Sequence, residues 1–286
     1  MASMPARRPS ASREPQRPTL ELSGPKLSLA FETLVSRCDE HGGVERYVEA
    51  VRLRSQMFRE ALADTRGRDP ELSTVKALCA HMATVRRRVG PYLEPSGFDR
   101  LRDAVQRLLE GRQDTSTADQ RIAAFCGSFP EDREHRWVRD LAAELLHNVD
   151  PERYPMMSRW VWDAATNTGV IREIWHALDV DHIVIDVPDR YETFLVLREE
   201  LSQFLSANGV FREVTCYVDL LTAQVYANYI CEQGGNYLRT DFAAPEDPMQ
   251  HTRRLLGLDG VDASGRTRLK AADGQAVVVE DVKLLD

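Results

Sequence analysis

From Pro25 onward, apolar side chains recur three and four residues apart, and glycine or proline interrupts that period at intervals. This is the signature of successive amphipathic helices, each with one stripe to bury. Leu27, Phe31, Leu34 and Val35 begin the first, and Gly42-Gly43 breaks it. Val44, Tyr47, Val48, Val51 and Phe58 form the face of a second. A third is expected from Leu72 to Val89, capped by Ser73 or Thr74 and ended by Gly90-Pro91. Shorter helices follow over Phe98 to Leu109 and Ala118 to Cys126, and Trp137 to Leu146 carries another up to Asp150-Pro151. Tyr191, Phe194, Leu195, Leu201, Phe204 and Leu205 mark one more, stopped by Asn208-Gly209. Val214 to Ile230 is apolar nearly all round and is expected to be central and buried, with a glycine cap at Gly234-Gly235.

Two segments depart from the helical period. His182 to Val187 is short and β-branched, a strand or an extended linker. Near the C-terminus, Thr267 to Lys270 and Ala276 to Glu280 flank Asp273-Gly274, a hairpin signal. A two-stranded hairpin is marginal alone, so it should dock on the helical body. The fold expected is therefore mainly α: one large irregular helical domain over residues 26–258, a disordered tail over 1–25, and a C-terminal β-hairpin over 259–286.

No apolar run approaches the roughly 18 to 20 residues that cross a bilayer, and Met1 to Pro18 has arginines but no apolar core of a secretory signal. The five cysteines are odd in number and widely spaced, which suits free thiols in a reducing cytoplasm better than a disulfide framework. The chain carries a net charge of −8, and residues 1–26 are net +3, so the rest is net −11. An acidic body argues against a broad nucleic-acid face. The exception to weigh is the triplet Arg86, Arg87 and Arg88, which is either a solvated helix end or a local nucleic-acid contact.

Four of the seven histidines follow a carboxylate by three residues: Asp132/His135, Glu144/His147, Glu173/His176 and Asp179/His182. That spacing puts both groups on one helical face, where a carboxylate can orient an imidazole or share a metal with it. Glu144, His147, Glu173 and His176 are the candidate ligands of iron or another transition metal, since paired Glu-x-x-His motifs serve di-iron bundles. A proline-broken stretch occupies the gap between these two pairs, leaving little room for the usual intervening Glu helix. The outer two pairs fall at expected helix ends, where the aspartate can cap.

The stretch Asp150 to Asp163 is dense in proline and aromatics. Arg153, Tyr154, Trp160 and Trp162 are the candidate partner-binding residues, because aromatic and arginine side chains favour interfaces. Trp160 and Trp162 are two apart, so on a helix they cannot both face one core. Gly-x-Gly-x-x-Gly, Walker, Gly-x-Ser-x-Gly and His-Glu-x-x-His patterns do not occur. The leading expectation is a cytoplasmic accessory or regulatory protein acting through protein–protein contacts. A metal-dependent oxidoreductase and a nucleic-acid-associated factor are the alternatives.

Overall fold

The computed structural model describes residues 17–39, 42–63, 69–177, 179–237, 248–261, 265–278 and 284–285. The expected tail divides there. Residues 1–16 lie outside the described residues, whereas 17–23 are fastened to the body. Leu20 is buried, the Ser23 amide donates to the Ile174 carbonyl at 2.7 Å, and the His176 amide donates to Glu21 at 2.7 Å.

The helical expectation holds through the body. Helices α1 (Gly24–Asp39), α2 (Val44–Leu62), α3 (Leu72–Ala80), α4 (Pro95–Leu109) and α5 (Ala118–Cys126) lead to α6 (Trp137–Val149). The single turn α7 (Val170–Glu173) precedes α8 (Tyr191–Ala207), α9 (Val214–Tyr237) and α10 (Pro248–Leu255). The antiparallel pair β1 (Arg266–Lys270) and β2 (Ala276–Val278) closes the described chain. Two helices organise the core. α9 packs against α1, α2, α8 and α10, while α6 packs against α2, α4 and α5. Every residue of α6 except Arg139 is buried, including Asp140, Glu144, His147 and Asn148. A helix buried all round must satisfy its polar side chains internally, and these four set the chemistry of the interior.

Two boundaries differ from expectation. α3 ends at Ala80 instead of reaching Val89, and His81 to Arg88 continue as turns. Gly257 packs against this break: it sits at φ 65°, and a Cβ added there would lie 1.7 Å from the His81 carbonyl oxygen. At the other end, α9 runs through Gly234-Gly235 to Tyr237. Each mid-helix glycine costs about 1 kcal/mol, which an already nucleated long helix tolerates.

The Asp150–Asp163 stretch is a chain of turns with no helix. It is pinned from three sides. The Tyr154 carbonyl accepts from His147 Nδ1 at 2.8 Å, the Met157 carbonyl from Arg139 Nη1 at 2.9 Å, and Asp140 takes the Arg159 backbone amide at 2.9 Å and its guanidinium at 2.7 Å. Residues 183–187 run extended beside it. Asn167 replaces a partner strand there, donating to the Ile183 carbonyl at 2.9 Å and accepting from the Ile185 amide at 3.0 Å.

The hairpin docks on the helical body, as its small size requires. The Lys270 amide donates to the Arg86 carbonyl at 2.9 Å. Gly90 lies directly beneath, where a Cβ would stand 2.5 Å from the Lys270 carbonyl oxygen.

Candidate functional site

Glu144 and His147 project from adjacent turns of α6 into the core between α2, α9 and the 154–160 turns. The Thr84 hydroxyl donates to Glu144 Oε1 at 2.9 Å. Burial pushes the Glu144 carboxyl up to about 7, against the pull of the neighbouring Arg54 guanidinium and the Thr84 bond. His147 is held at both nitrogens. Nδ1 donates to the Tyr154 carbonyl, which can only accept, and Nε2 faces Asp219 Oδ2 of α9 at 2.9 Å. Neither ring nitrogen is left to ligate a metal.

Glu173 and His176 take no part in this cluster: Glu173 is half-buried at the end of α7, and His176 is exposed. Among the described residues no group of three His, Cys, Asp or Glu could hold a metal ion. The expected metal set of Glu144, His147, Glu173 and His176 therefore does not assemble. The reason is the non-helical 150–169 segment, which puts the second pair on a one-turn helix outside the α6 interior. Two small cavities flank His147, each of about 10 Å³. That is room for about one water.

The aromatic corner is also core. Tyr154 and Trp162 are fully buried and Trp160 nearly so, and the Trp162 indole N–H donates to the Val187 carbonyl at 2.9 Å. Arg153 alone is exposed, paired to Asp150 at 2.8 Å. Tyr154, Trp160 and Trp162, expected as a contact surface, face the core in this fold. On turns rather than a helix, residues two apart can both point inward.

The arginine triplet splits. Arg86 is buried and pairs with Asp259 at 2.9 Å, while Arg87 and Arg88 are exposed. These two line an open cleft of about 850 Å³ between the 83–92 turns, the 133–137 segment and the hairpin. Arg133 and Lys270 line it as well, with Glu134 the one acid in its wall. Among the described residues no ion pair engages Arg87, Arg88, Arg133 or Lys270, so the cationic groups lining the cleft outnumber its acid.

Tyr92 and His135 also line the cleft, and Asp132 bonds to His135. Asp132 caps the 3-10 turn Arg133–His135, accepting from the Glu134 amide at 2.8 Å and the His135 amide at 3.0 Å. The same carboxylate holds His135 Nδ1 at 2.8 Å, and His135 Nε2 lies 2.9 Å from the Tyr92 hydroxyl. Because a carboxylate accepts, it fixes the proton on Nδ1. Nε2 is then the acceptor, and Tyr92 donates to it. Tyr92 packs edge-on against Phe129, with ring centroids 5.1 Å apart, which fixes its ring in the cleft wall.

No known protein family, curated protein or solved structure matches this chain.

The chemistry available at the cleft follows from its residues. The His135 bond holds the Asp132 carboxyl below the usual carboxylate range, so it stays ionised. Burial raises the Tyr92 phenol above its ordinary value, against the pull of the nearby Arg100. A neutral phenol is a weak nucleophile, and an adjacent imidazole of fixed tautomer is the usual means of activating such a group. Thiol chemistry is less favourable. Burial pushes Cys38, Cys79 and Cys216 up to about 12, which keeps them protonated. Of this cleft, sequence reasoning noticed the arginine triplet and the Asp132/His135 pair, the latter only as a helix-end contact. The Tyr92 partner lies 43 residues away in sequence, and no local pattern reveals it.

Proposed function

We propose that this chain is an accessory or regulatory protein acting through protein–protein contacts, and that it grips a phosphorylated segment of its partner in the cationic cleft. One observation carries the reading: four cations, three of them arginines, that have no ion-pair partner among the described residues converge on one open cleft of an acidic protein. Guanidinium groups match phosphate oxygens in paired, planar hydrogen bonds, and arginine clusters are a recurring way to recognise phosphorylated segments. The net charge of −8 favours a short, locally charged ligand over an extended nucleic acid, whose flanks would meet the acidic body.

The test is calorimetric titration with a phosphoserine peptide, its unphosphorylated twin and a single-stranded oligonucleotide. The phosphopeptide is expected to bind at least about tenfold more tightly than its twin, and the double variant Arg87→Gln/Arg88→Gln to lose most of that margin. Equal affinity for the two peptides would remove the reading. Clear preference for the oligonucleotide would replace it with nucleic-acid binding.

A further inference from the structure

The cleft holds more than charge. Phosphate recognition alone needs donors, yet Tyr92, His135 and Asp132 are ordered as a donor, a base of fixed tautomer and a carboxylate that orients the base. The sequence Oη–H to Nε2, then Nδ1–H to carboxylate, is the geometry by which a histidine activates a hydroxyl nucleophile. The three groups come from two turns: Tyr92 from the 3-10 turn Gly90–Leu93, and His135 and Asp132 from the Arg133–His135 turn and its cap. Of the three side chains Asp132 is half-exposed, and His135 is about one-fifth exposed. The base is thus partly shielded from water while remaining part of the cleft wall.

Resting on the reading of the cleft as a phosphate seat, we propose that Tyr92, His135 and Asp132 cleave phosphomonoesters bound there, with Tyr92 as the nucleophile. In the first step Tyr92 Oη attacks phosphorus while its proton passes to His135 Nε2. The bond from phosphorus to Oη forms and the bond to the ester oxygen breaks, so the alcohol leaves as its oxide. A water then attacks phosphorus in line and gives up its proton, through solvent, to the departed oxide. The bond from phosphorus to Tyr92 breaks, and His135 returns its proton to Oη. The sum is ester plus water giving alcohol plus phosphate, and it needs no redox partner.

Asp132 stabilises the imidazolium that exists between the two steps. Arg87, Arg88 and Arg133 neutralise the non-bridging oxygens, where charge is carried through the transfer. No side chain in this scheme protonates the departing oxygen, so esters with good leaving groups are favoured. Aryl phosphates, phosphotyrosine among them, are the substrate class this chemistry selects.

The experiment uses the full chain with p-nitrophenyl phosphate as the probe, read by nitrophenolate release. Binding of inorganic phosphate is measured on the same samples by calorimetry. Wild-type protein is expected to release nitrophenolate and, on acid quench, to carry a phosphoryl group on Tyr92 by mass spectrometry. His135→Gln should slow release about a hundredfold. Tyr92→Phe, which keeps the ring and its packing on Phe129, should abolish it, and both variants should still bind phosphate. Release that persists in Tyr92→Phe overturns the proposal. Phosphate binding without release by the wild type overturns it too, while leaving the cleft reading in place. Absence of phosphate binding removes both.

Discussion

Two buried residues, Glu144 and His81, ionise against the preference of the core, and they pull stability in opposite directions with pH. The Glu144 carboxyl rises from its ordinary 4.5 to about 7 because burial disfavours its anion. Between these values the folded state holds a proton the unfolded state has lost, so stability falls as pH rises through that window. The His81 imidazole is lowered from 6.5 to about 4, chiefly by burial, with its Nδ1 2.9 Å from the Gly257 carbonyl. Between 4 and 6.5 the unfolded state holds the extra proton, so this contribution is full above 6.5 and is lost as pH falls toward 4. Each window is worth on the order of 3 kcal/mol, so in the wild type the two largely offset one another. Glu144→Gln should remove the first arm alone. Urea denaturation of that variant is expected to show stability rising from pH 4 to 6.5 and then levelling, where the wild type stays flatter. Parallel curves for the two proteins would show that Glu144 ionises normally in the fold. The Asp219 partner of His147 behaves differently, because removing one member of a buried pair strands the other. Asp219→Ala should cost about 3–5 kcal/mol in the same assay, and a loss under about 1 kcal/mol would mean that the pair is dispensable.

At the scale of elements, the helices that follow a clean apolar period were legible from sequence, and those ended by tertiary contact were not. α5 begins and ends where its pattern predicts, and α4 ends at the predicted Leu109 but starts three residues earlier, at Pro95. α3 stops nine residues early, where Gly257, distant in sequence, packs closely on the His81 carbonyl. Nothing in residues 72–89 announces that contact. The same limit explains the site. Glu144 and His147 were visible as a pair, but Asp219, Thr84 and Arg54, which determine what the pair does, come from other elements. The tryptophans of the proline-rich corner were expected at a partner surface and lie in the core. Their fate depended on whether the segment was helical, and that was set by Asp140, Arg139 and His147 pinning it from α6. The hairpin was legible from its Asp273-Gly274 turn, whereas its seat on the 86–90 backbone was not. Gly90 makes that seat possible, since any Cβ there would meet the Lys270 carbonyl oxygen at 2.5 Å and the Ala271 backbone at 2.7 Å. Gly90→Ala should therefore lift the hairpin and break the bond from the Lys270 amide to the Arg86 carbonyl, at a cost of about 1–3 kcal/mol. Hydrogen exchange reads this directly. The Lys270 amide should lose protection while the amides of α6 keep theirs, and retained protection at Lys270 would show that the two backbones can separate slightly without undocking.

The whole molecule sets how far the cleft's field reaches. Four cations in the cleft sit on a protein of net charge −8, so an approaching anion meets repulsion at long range and attraction at short range. Salt weakens the two unequally, because the Debye length is about 30 Å at 0.01 M and about 8 Å at 0.15 M. A phosphopeptide with one charged group engages the cleft and little else. An oligonucleotide must also lay its remaining phosphates along the acidic surface, and it is penalised most when that surface acts over the longest distance. Selectivity for the phosphopeptide over the oligonucleotide should consequently be greatest at low salt and shrink as salt rises. Ordinary cationic nucleic-acid sites behave in the opposite way, since their affinity for polyanions rises as salt falls through counterion release. Titrating both ligands at 0.01 M and 0.15 M salt separates the two cases. If the oligonucleotide gains more than the phosphopeptide on dilution, the cleft field dominates the body charge, and the acidic surface is no barrier to an extended polyanion.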